Sequence, residues 1–185
     1  MLLQYETNRL ILKVLGPDYA SDVLRFYEQD VELFEKYEAD RHPHFYTENH
    51  QRTVLQLEQS LFMRLQLVRF YVYLKEDPDT IIGTVSLYEI SRAYGRAALG
   101  YKFASAHHHK GYATEALEKL ISLAFGELEL HRLYAHVQPD NTPSIQLLER
   151  LGFTYEGICR SYMRMRGCWT DHGQYSLLST DAARE

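Results

Sequence analysis

The chain reads as one α/β domain, a central sheet with helices on both of its faces. Three observations point there. From His107 to Phe125 a short polar run with a single glycine passes directly into an amphipathic helix, with Ala113, Ala116, Leu117, Leu120, Ile121, Ala124 and Phe125 at helical spacing. Strand, helix and strand then follow in quick succession. Leu133, Ala135 and Val137 alternate with Tyr134 and His136. Asn141 suits an N-cap, Ile145, Leu148 and Leu151 form an apolar stripe, and Gly152 stops the helix before Phe153 opens the next strand. Last, Tyr155 to Leu178 reads as a two-stranded hairpin turning near Arg166-Gly167. Strands mixed with helices in this way predict a sheet layered by helices.

The rest of the chain fills in the same pattern. Arg9 to Val14 is a first strand, closed by Gly16-Pro17, and Asp18 or Ser21 caps a helix that runs to about Tyr27. Phe34 to Tyr46 has no clean period and is rich in aromatic and polar residues. Thr47 with Glu48 starts a longer helix to about Leu67. Phe70 to Leu74 is a strand, Asp77-Pro78-Asp79 a turn, Ile81 to Ile90 a strand, Arg92 to Arg96 a turn, and Ala97 to Ala104 a strand. No repeat, linker or low-complexity tract interrupts the chain, so residues 1–185 are expected to form one domain.

Composition narrows the partners. At 185 residues, with 45% hydrophobic and 24% charged, the chain suits a globular domain with a sizeable core. A net charge of −5 gives no broad attraction to nucleic acid. No apolar run approaches the roughly 20 residues of a membrane span, and the N-terminus lacks a signal-peptide layout. A cytoplasmic location with no membrane partner is the expectation. Cys159 and Cys168 are read as free thiols on neighbouring strands.

The helix that begins near Gly111 marks a candidate site. Its first backbone N–H groups lack internal partners and carry the positive end of the helix dipole, which suits phosphate. Lys110 adds a formal charge, and a side chain at Gly111 would block close approach of an anion. Backbone N–H groups from His109 to Ala113, with Thr114, are the expected contacts. The triplet His107-His108-His109 is not read as a metal site, because adjacent histidines do not converge easily and no Cys or carboxylate accompanies them at ligand spacing. The P-loop pattern is absent as well.

These stretches together resemble the GNAT superfamily of acetyl-CoA-dependent N-acetyltransferases. The family's coenzyme loop reads Gln/Arg-x-x-Gly-x-Gly/Ala, and this chain has His108-His109-Lys110-Gly111-Tyr112-Ala113, followed by the Thr-Glu-Ala run. The family's opening Gln/Arg is His108 here, and a frequent glycine is His109. Asn141-Thr142-Pro143-Ser144, Leu151-Gly152-Phe153 and Glu156-Gly157 match a second motif. The pattern looks most like the branch of ribosomal-protein alanine/serine N-terminal acetyltransferases, from about Thr7 to Leu178. The resemblance implies a mixed, mostly antiparallel sheet of six to seven strands with a splayed parallel pair. It implies acetyl-CoA as co-substrate, no metal, and a monomer or homodimer.

Residue roles follow from the resemblance in the same sense. His108 to Thr114 would hold the pyrophosphate. Phe103, Ala104 and Ser105 would meet the pantetheine arm and the thioester oxygen. Asn141 would hydrogen-bond the arm, and Ser144 would protonate the departing thiolate. Several relatives carry a glutamate where this chain has Ala98, so the usual base is missing. Glu89 is the best carboxylate substitute, with Asp171, His172 or a water chain as alternatives. Tyr88, Tyr162, Trp169 and the aromatic loop Phe34 to Tyr46 would wall the acceptor site, with Glu35, Glu38 and Asp40 attracting a cationic amine. No cysteine stands where a covalent nucleophile belongs. The expected reaction is therefore direct attack by a primary amine, such as a protein N-terminus, in a ternary complex. A small-molecule acetyltransferase acting on a polyamine, amino acid or aminoglycoside is the alternative within enzymes. A non-catalytic acyl-CoA-binding domain is the alternative outside them.

Overall fold

In the computed structural model, which describes residues 1–182, the chain builds an eight-stranded sheet around which six helices are arranged. The strands are β1 (Gln4–Glu6), β2 (Leu10–Lys13), β3 (Val68–Leu74), β4 (Asp77–Ser91), β5 (Arg96–Phe103), β6 (Arg132–Val137), β7 (Thr154–Met165) and β8 (Cys168–Leu178). They lie in the order β1-β2-β3-β4-β5-β6-β8-β7. The helices are α1 (Ala20–Glu28), α2 (Val31–Lys36), α3 (Glu48–Met63), α4 (Tyr112–Gly126), α5 (Thr142–Arg150) and a last short turn, α6 (Ser179–Ala182). The expected six to seven strands become eight because β1 was not foreseen. It is three residues long, turns only Tyr5 inward, and pairs Gln4 with Lys13 of β2. The turn expected at Asp77-Pro78-Asp79 sits instead at Lys75-Glu76. Asp77 already pairs with Leu74, and the ladder there is irregular enough to admit a proline.

All strand neighbours are antiparallel except β5 and β6, which pair in parallel at Arg96–Arg132, Ala97–Leu133 and Ala98–Tyr134. Beyond Ala98 the two strands part. Each is held on its other side, β5 by β4 from Gly83–Phe103 to Ser91–Arg96 and β6 by β8 from Arg132–Leu178 to Val137–Gly173.

Local chemistry fixes the helix ends. Thr47 accepts the His50 N–H at 3.3 Å to start α3, and Asn141 accepts the Ser144 N–H at 3.3 Å to start α5. Gly111, at φ +79°, caps α4, and Gly152, at φ +83°, follows α5. Of the aperiodic Phe34 to Tyr46 segment, only its first residues belong to a helix, the short α2.

The two faces of the sheet are covered unequally. On one face α4 lays Ala116, Leu117, Leu120, Ile121 and Ala124 against Val85, Leu87, Leu99 and Leu133, and α5 adds Leu148. On the other, α1, α2 and α3 bury Val23, Phe26, Phe34 and Leu55 against Tyr71, Tyr73 and Ile81. No buried residue of that second cluster comes from β6, β7 or β8. Among the described residues the sheet face over those three strands is left without a helix, and polar residues occupy it. No helix of the described residues is long and apolar enough to cross a membrane.

A three-pronged contact ties the N-terminal strands to α4. The Glu115 carboxylate accepts Thr7 Oγ1 at 2.6 Å, the Arg9 N–H at 2.8 Å and Arg9 Nε at 2.7 Å. Burial alone would raise the Glu115 carboxyl, but these donors outweigh it and hold it below its ordinary 4.5. A depressed folded-state pKa stabilises the fold above about pH 4.5, and that contribution disappears as pH falls through the folded value. Glu115→Ala is therefore expected to lower stability by about 2 kcal/mol, within the range for hydrogen bonds to charged groups. The difference from wild type should shrink as acid is added, which urea unfolding at pH 7 and pH 3 would read out.

Candidate functional site

The loop before α4 is shaped by two residues in the left-handed region, His109 at φ +58° and Gly111 at φ +79°, on either side of Lys110. Alternation of this kind turns successive N–H groups toward one side and makes an anion-binding concavity. The Lys110 carbonyl is turned away and accepts Arg9 Nη1 at 2.9 Å, while the Arg9 guanidinium lies 4.7 Å from the centre of the Tyr112 ring. A groove of about 660 Å³ beside the loop is lined by Asn8, Arg9, Gly111, Thr114, Glu115 and Glu118. The position where glycine is frequent in related sequences is thus one that needs positive φ, and His109 adopts it at a cost of about 1–2 kcal/mol. His108 does not point into the concavity. Its Nε2–H donates to the Phe103 carbonyl at 2.9 Å.

The edge of β5 supplies the next part. The Ala104 N–H donates to Ile82 O at 2.9 Å, on the β4 side. Backbone groups alternate along a strand, so those of Leu99, Tyr101 and Phe103 face the gap left by β6. Of the three expected pantetheine contacts, Phe103 faces the gap. The Ala104 N–H is used by β4, and the Ser105 N–H and Oγ are held by Asp30 at 2.7 and 2.8 Å. Leu99 and Tyr101 were missed, because parity cannot be assigned without knowing which edge a strand shares. The Tyr101 hydroxyl crosses the gap and donates to the Ser144 carbonyl at 3.2 Å, and burial pushes its pKa up to about 12. Ser144, half-buried at the start of α5, therefore stands across the gap from the open edge of β5.

On the helix-free side of the gap, polar side chains gather. Glu89 adopts φ +51° where β4 loses register between Tyr88 and Ser91. Its carboxylate accepts the Tyr134 hydroxyl at 2.7 Å. The Tyr88 ring lies across Gly100, where an added Cβ would come within 3.1 Å of it, and burial pushes its pKa up to about 12. His136 stacks on Tyr162 with 4.1 Å between ring centres, and Tyr162 lies 5.1 Å from His172. Tyr162 reaches this place through a bulge, in which Ser161 takes φ +48° and its N–H donates to Asp171 at 2.7 Å. Tyr88, Glu89, Tyr162 and His172 are thus brought together.

Trp169 is not part of that group. Strand alternation puts it on the face opposite His172, and it is 66% exposed. Asp171 is occupied by the bulge, and Ala98 is buried at the last parallel pair with no carboxylate to offer. The acidic loop residues also have partners. Glu35 accepts from Tyr46, Glu38 pairs with Arg41 and Lys102, and Asp40 accepts the Arg166 N–H at 2.7 Å. Phe34, Phe45 and Tyr46 belong to the second core rather than to a wall. Arg166 also donates to the Lys36 carbonyl at 2.6 Å, so the hairpin tip meets the α2 end beside a cavity of about 260 Å³. Tyr134, His136 and Gln174 were not singled out from sequence, although polar residues alternating with buried Leu133, Ala135 and Val137 were the signal. Among the described residues, no group of His, Cys, Asp and Glu is placed to hold a metal ion.

A helix start with an anion concavity, an open strand edge and a polar gap between parallel strands are the features that the resemblance to acyl-coenzyme A-dependent transferases implies. Residues 9–154 match the acetyltransferase (GNAT) domain, and the chain belongs to that family as an acetyl-CoA-dependent N-acetyltransferase. It is 37% identical over 177 residues to the uncharacterized N-acetyltransferase p20 of Bacillus licheniformis, covering 96% of this chain and 97% of the relative. The ribosomal-protein-S5-alanine acetyltransferase of Vibrio fischeri superposes with a TM-score of 0.90 at 26% identity, over 97% of this chain and 98% of that one. RimJ of Mycobacterium smegmatis, solved with CoA-disulfide, has the same fold at a TM-score of 0.87 and 23% identity, over 95% and 85% of the two chains.

Two variants test whether the loop before α4 holds the coenzyme. A ligand that binds only the native state raises the melting temperature. Gly111→Val is expected to abolish the rise caused by acetyl-CoA, since valine at φ +79° is strained and its Cβ would lie 3.3 Å from Arg9 Nη2. His109→Gly should keep the acetyl-CoA shift and leave the free protein no less stable. Thermal melts with and without acetyl-CoA decide both.

Proposed function

We propose that the acceptor is a protein N-terminal α-amine, acetylated by direct attack in a ternary complex. The observation that carries this reading is the helix-free face over β6 to β8. It presents polar side chains on an open surface, whereas small-molecule sites are usually enclosed cavities of about 300–1,000 Å³. The cavity at its rim, about 260 Å³, falls below that range. A chain end fits an open face better than a free small molecule does. The likeness to an S5-alanine acetyltransferase supports the same reading.

In this mechanism the N–H groups from His109 to Ala113, with Thr114, hold the pyrophosphate of acetyl-CoA. The open backbone of Leu99 and Tyr101, with the N–H of Phe103, pairs with the extended arm, Asn141 assists from α5, and a gap-facing N–H of β5 meets the thioester oxygen as charge builds on it. Glu89, oriented by Tyr134, faces the acceptor's positive charge. Ser144 passes a proton to the leaving sulfur. Turnover should be fastest with peptides bearing a free N-terminus. A coenzyme-release screen across such peptides, polyamines, amino acids and aminoglycosides tests this, and preference for a polyamine would overturn it.

Ser144→Ala should lower kcat by about 10²-fold, the lower range for a positioned acid, with little change in acetyl-CoA affinity. Asn141→Ala should instead weaken acetyl-CoA binding and cost about 1 kcal/mol of stability through loss of the cap. Glu89→Gln should lower kcat/KM by no more than about tenfold, because its part is to attract and orient the amine rather than to take its proton. Steady-state kinetics on one peptide acceptor measures all three.

A further inference from the structure

The glutamate of the Glu156-Gly157 motif has no place in the mechanism above, and its contacts lead to one. Glu156 is paired with Arg132, and its carboxylate also accepts Gln174 Nε2 at 2.7 Å and Ser176 Oγ at 2.7 Å. The hydrogen bond from Arg132, with Gln174 and Ser176, holds the Glu156 carboxyl down at about 2, so it is an ion and can only accept. The Gln174 amide must then turn its NH₂ toward Glu156. Its oxygen is left facing Cys159 Sγ at 3.4 Å and His136 Nε2 at 3.3 Å. An amide oxygen only accepts, so His136 Nε2 carries the hydrogen. In a neutral imidazole the other nitrogen, Nδ1, then bears the lone pair. Nδ1 of His136 is buried and has no hydrogen-bond partner among the described residues.

The position of this lone pair matters. The last parallel pair is Ala98–Tyr134, so His136 is the next residue on the same face of β6, just where β5 has left. Burial lowers the His136 pKa against the opposing effect of the Gln174 contact and of the Glu89 charge, which favours the neutral ring. The groups around it are Tyr88 and Glu89 from β4, Tyr134 on its own strand, His172 and Gln174 from β8, and Cys159 and Tyr162 from β7. Tyr88 and Tyr134 are kept protonated, and Glu89 is bonded to Tyr134. Tyr162 stacks over the ring, is 37% exposed and stands on the Ser161 bulge, so an acceptor reaches the buried Nδ1 only when the Tyr162 ring turns aside.

We propose that His136 is the proton acceptor for the attacking amine, and that Arg132, Glu156 and Gln174 are positioning residues that fix its Nε2–H tautomer. The inference rests on the acetyl-transfer reading and adds the destination of the proton. The acceptor ammonium gives one proton to Nδ1. Its lone pair bonds to the thioester carbonyl carbon and the C–S bond breaks with its electrons on sulfur. The second amine proton goes to that sulfur by way of Ser144, and the imidazolium returns the first to solvent.

The test has two arms on the full-length protein. Long-range ¹H–¹⁵N spectra of the histidine rings should show His136 as the Nε2–H tautomer at pH 7, titrating below 6.5, and Gln174→Leu should convert it to a tautomer mixture. A protonated ring or an Nδ1–H tautomer in the wild type would overturn the proposal, and so would an unchanged tautomer in Gln174→Leu. In the kinetic arm, His136→Gln should lower kcat at pH 7 by a hundredfold or more while keeping the acetyl-CoA melting shift and KM. That deficit should shrink as pH rises toward the amine's own pKa, near 7.7–8.0 for an α-amine. A loss below tenfold with an unaltered pH profile would refute the role, as would His172→Gln proving the more severe variant. The acceptor is whichever amine the wild type acetylates, so a wrong acceptor class in the preceding section leaves this test intact.

Discussion

The constraint on which the rest of this structure depends is that β5 and β6 pair over only three residues and then separate. A strand that loses its neighbour leaves a row of unpaired N–H and C=O groups, which folded proteins do not bury without partners. Two things let the gap persist. Each strand is held on its far side by a long antiparallel ladder, β5 by β4 and β6 by β8. The gap is also braced across its width, because the Tyr101 hydroxyl reaches from β5 to the Ser144 carbonyl at the start of α5. The open edge is thereby ready for an extended substrate to complete, as strand-adding ligands do elsewhere.

Much of this was legible in the sequence. The two helices that frame the gap announced themselves by caps and periodicity, Gly111 before α4 and Asn141 before α5, and both ends fall where those residues direct. The loop before α4 was legible because a helix start is local. What could not be read depends on register. Tyr162 and Trp169 look equally suited to wall a site, yet a bulge at Ser161 turns one toward His136 and alternation turns the other away. Phe103 faces the gap while its neighbour Ala104 does not, and only the hydrogen bond to Ile82 reveals it. β1 was invisible because three residues with one inward side chain carry no period. Tyr134 and His136 were visible as the polar half of a strand, but nothing in the sequence says that no helix covers that half.

The two charge networks share a logic. At one end of the gap, Glu115 collects Thr7 and Arg9, and Arg9 in turn holds the Lys110 carbonyl away from the concavity. At the other end, Glu156 collects Arg132, Gln174 and Ser176. In each case a carboxylate that gathers several donors fixes the orientation of a group beside the gap. Removing either glutamate would disturb geometry before it disturbed chemistry.

The meeting of the hairpin tip with the end of α2 has its own consequence. Arg166 reaches Lys36 and Asp40 across residues far apart in the chain, so the rim of the acceptor side is made of two loops while its floor is made of strands. Loops accept insertion and substitution with little effect on the elements they join. A lineage could therefore change what reaches this face by rewriting residues 37–44 and the hairpin tip, and inherit the strands beneath it unaltered. Rim and floor are separately heritable in this architecture.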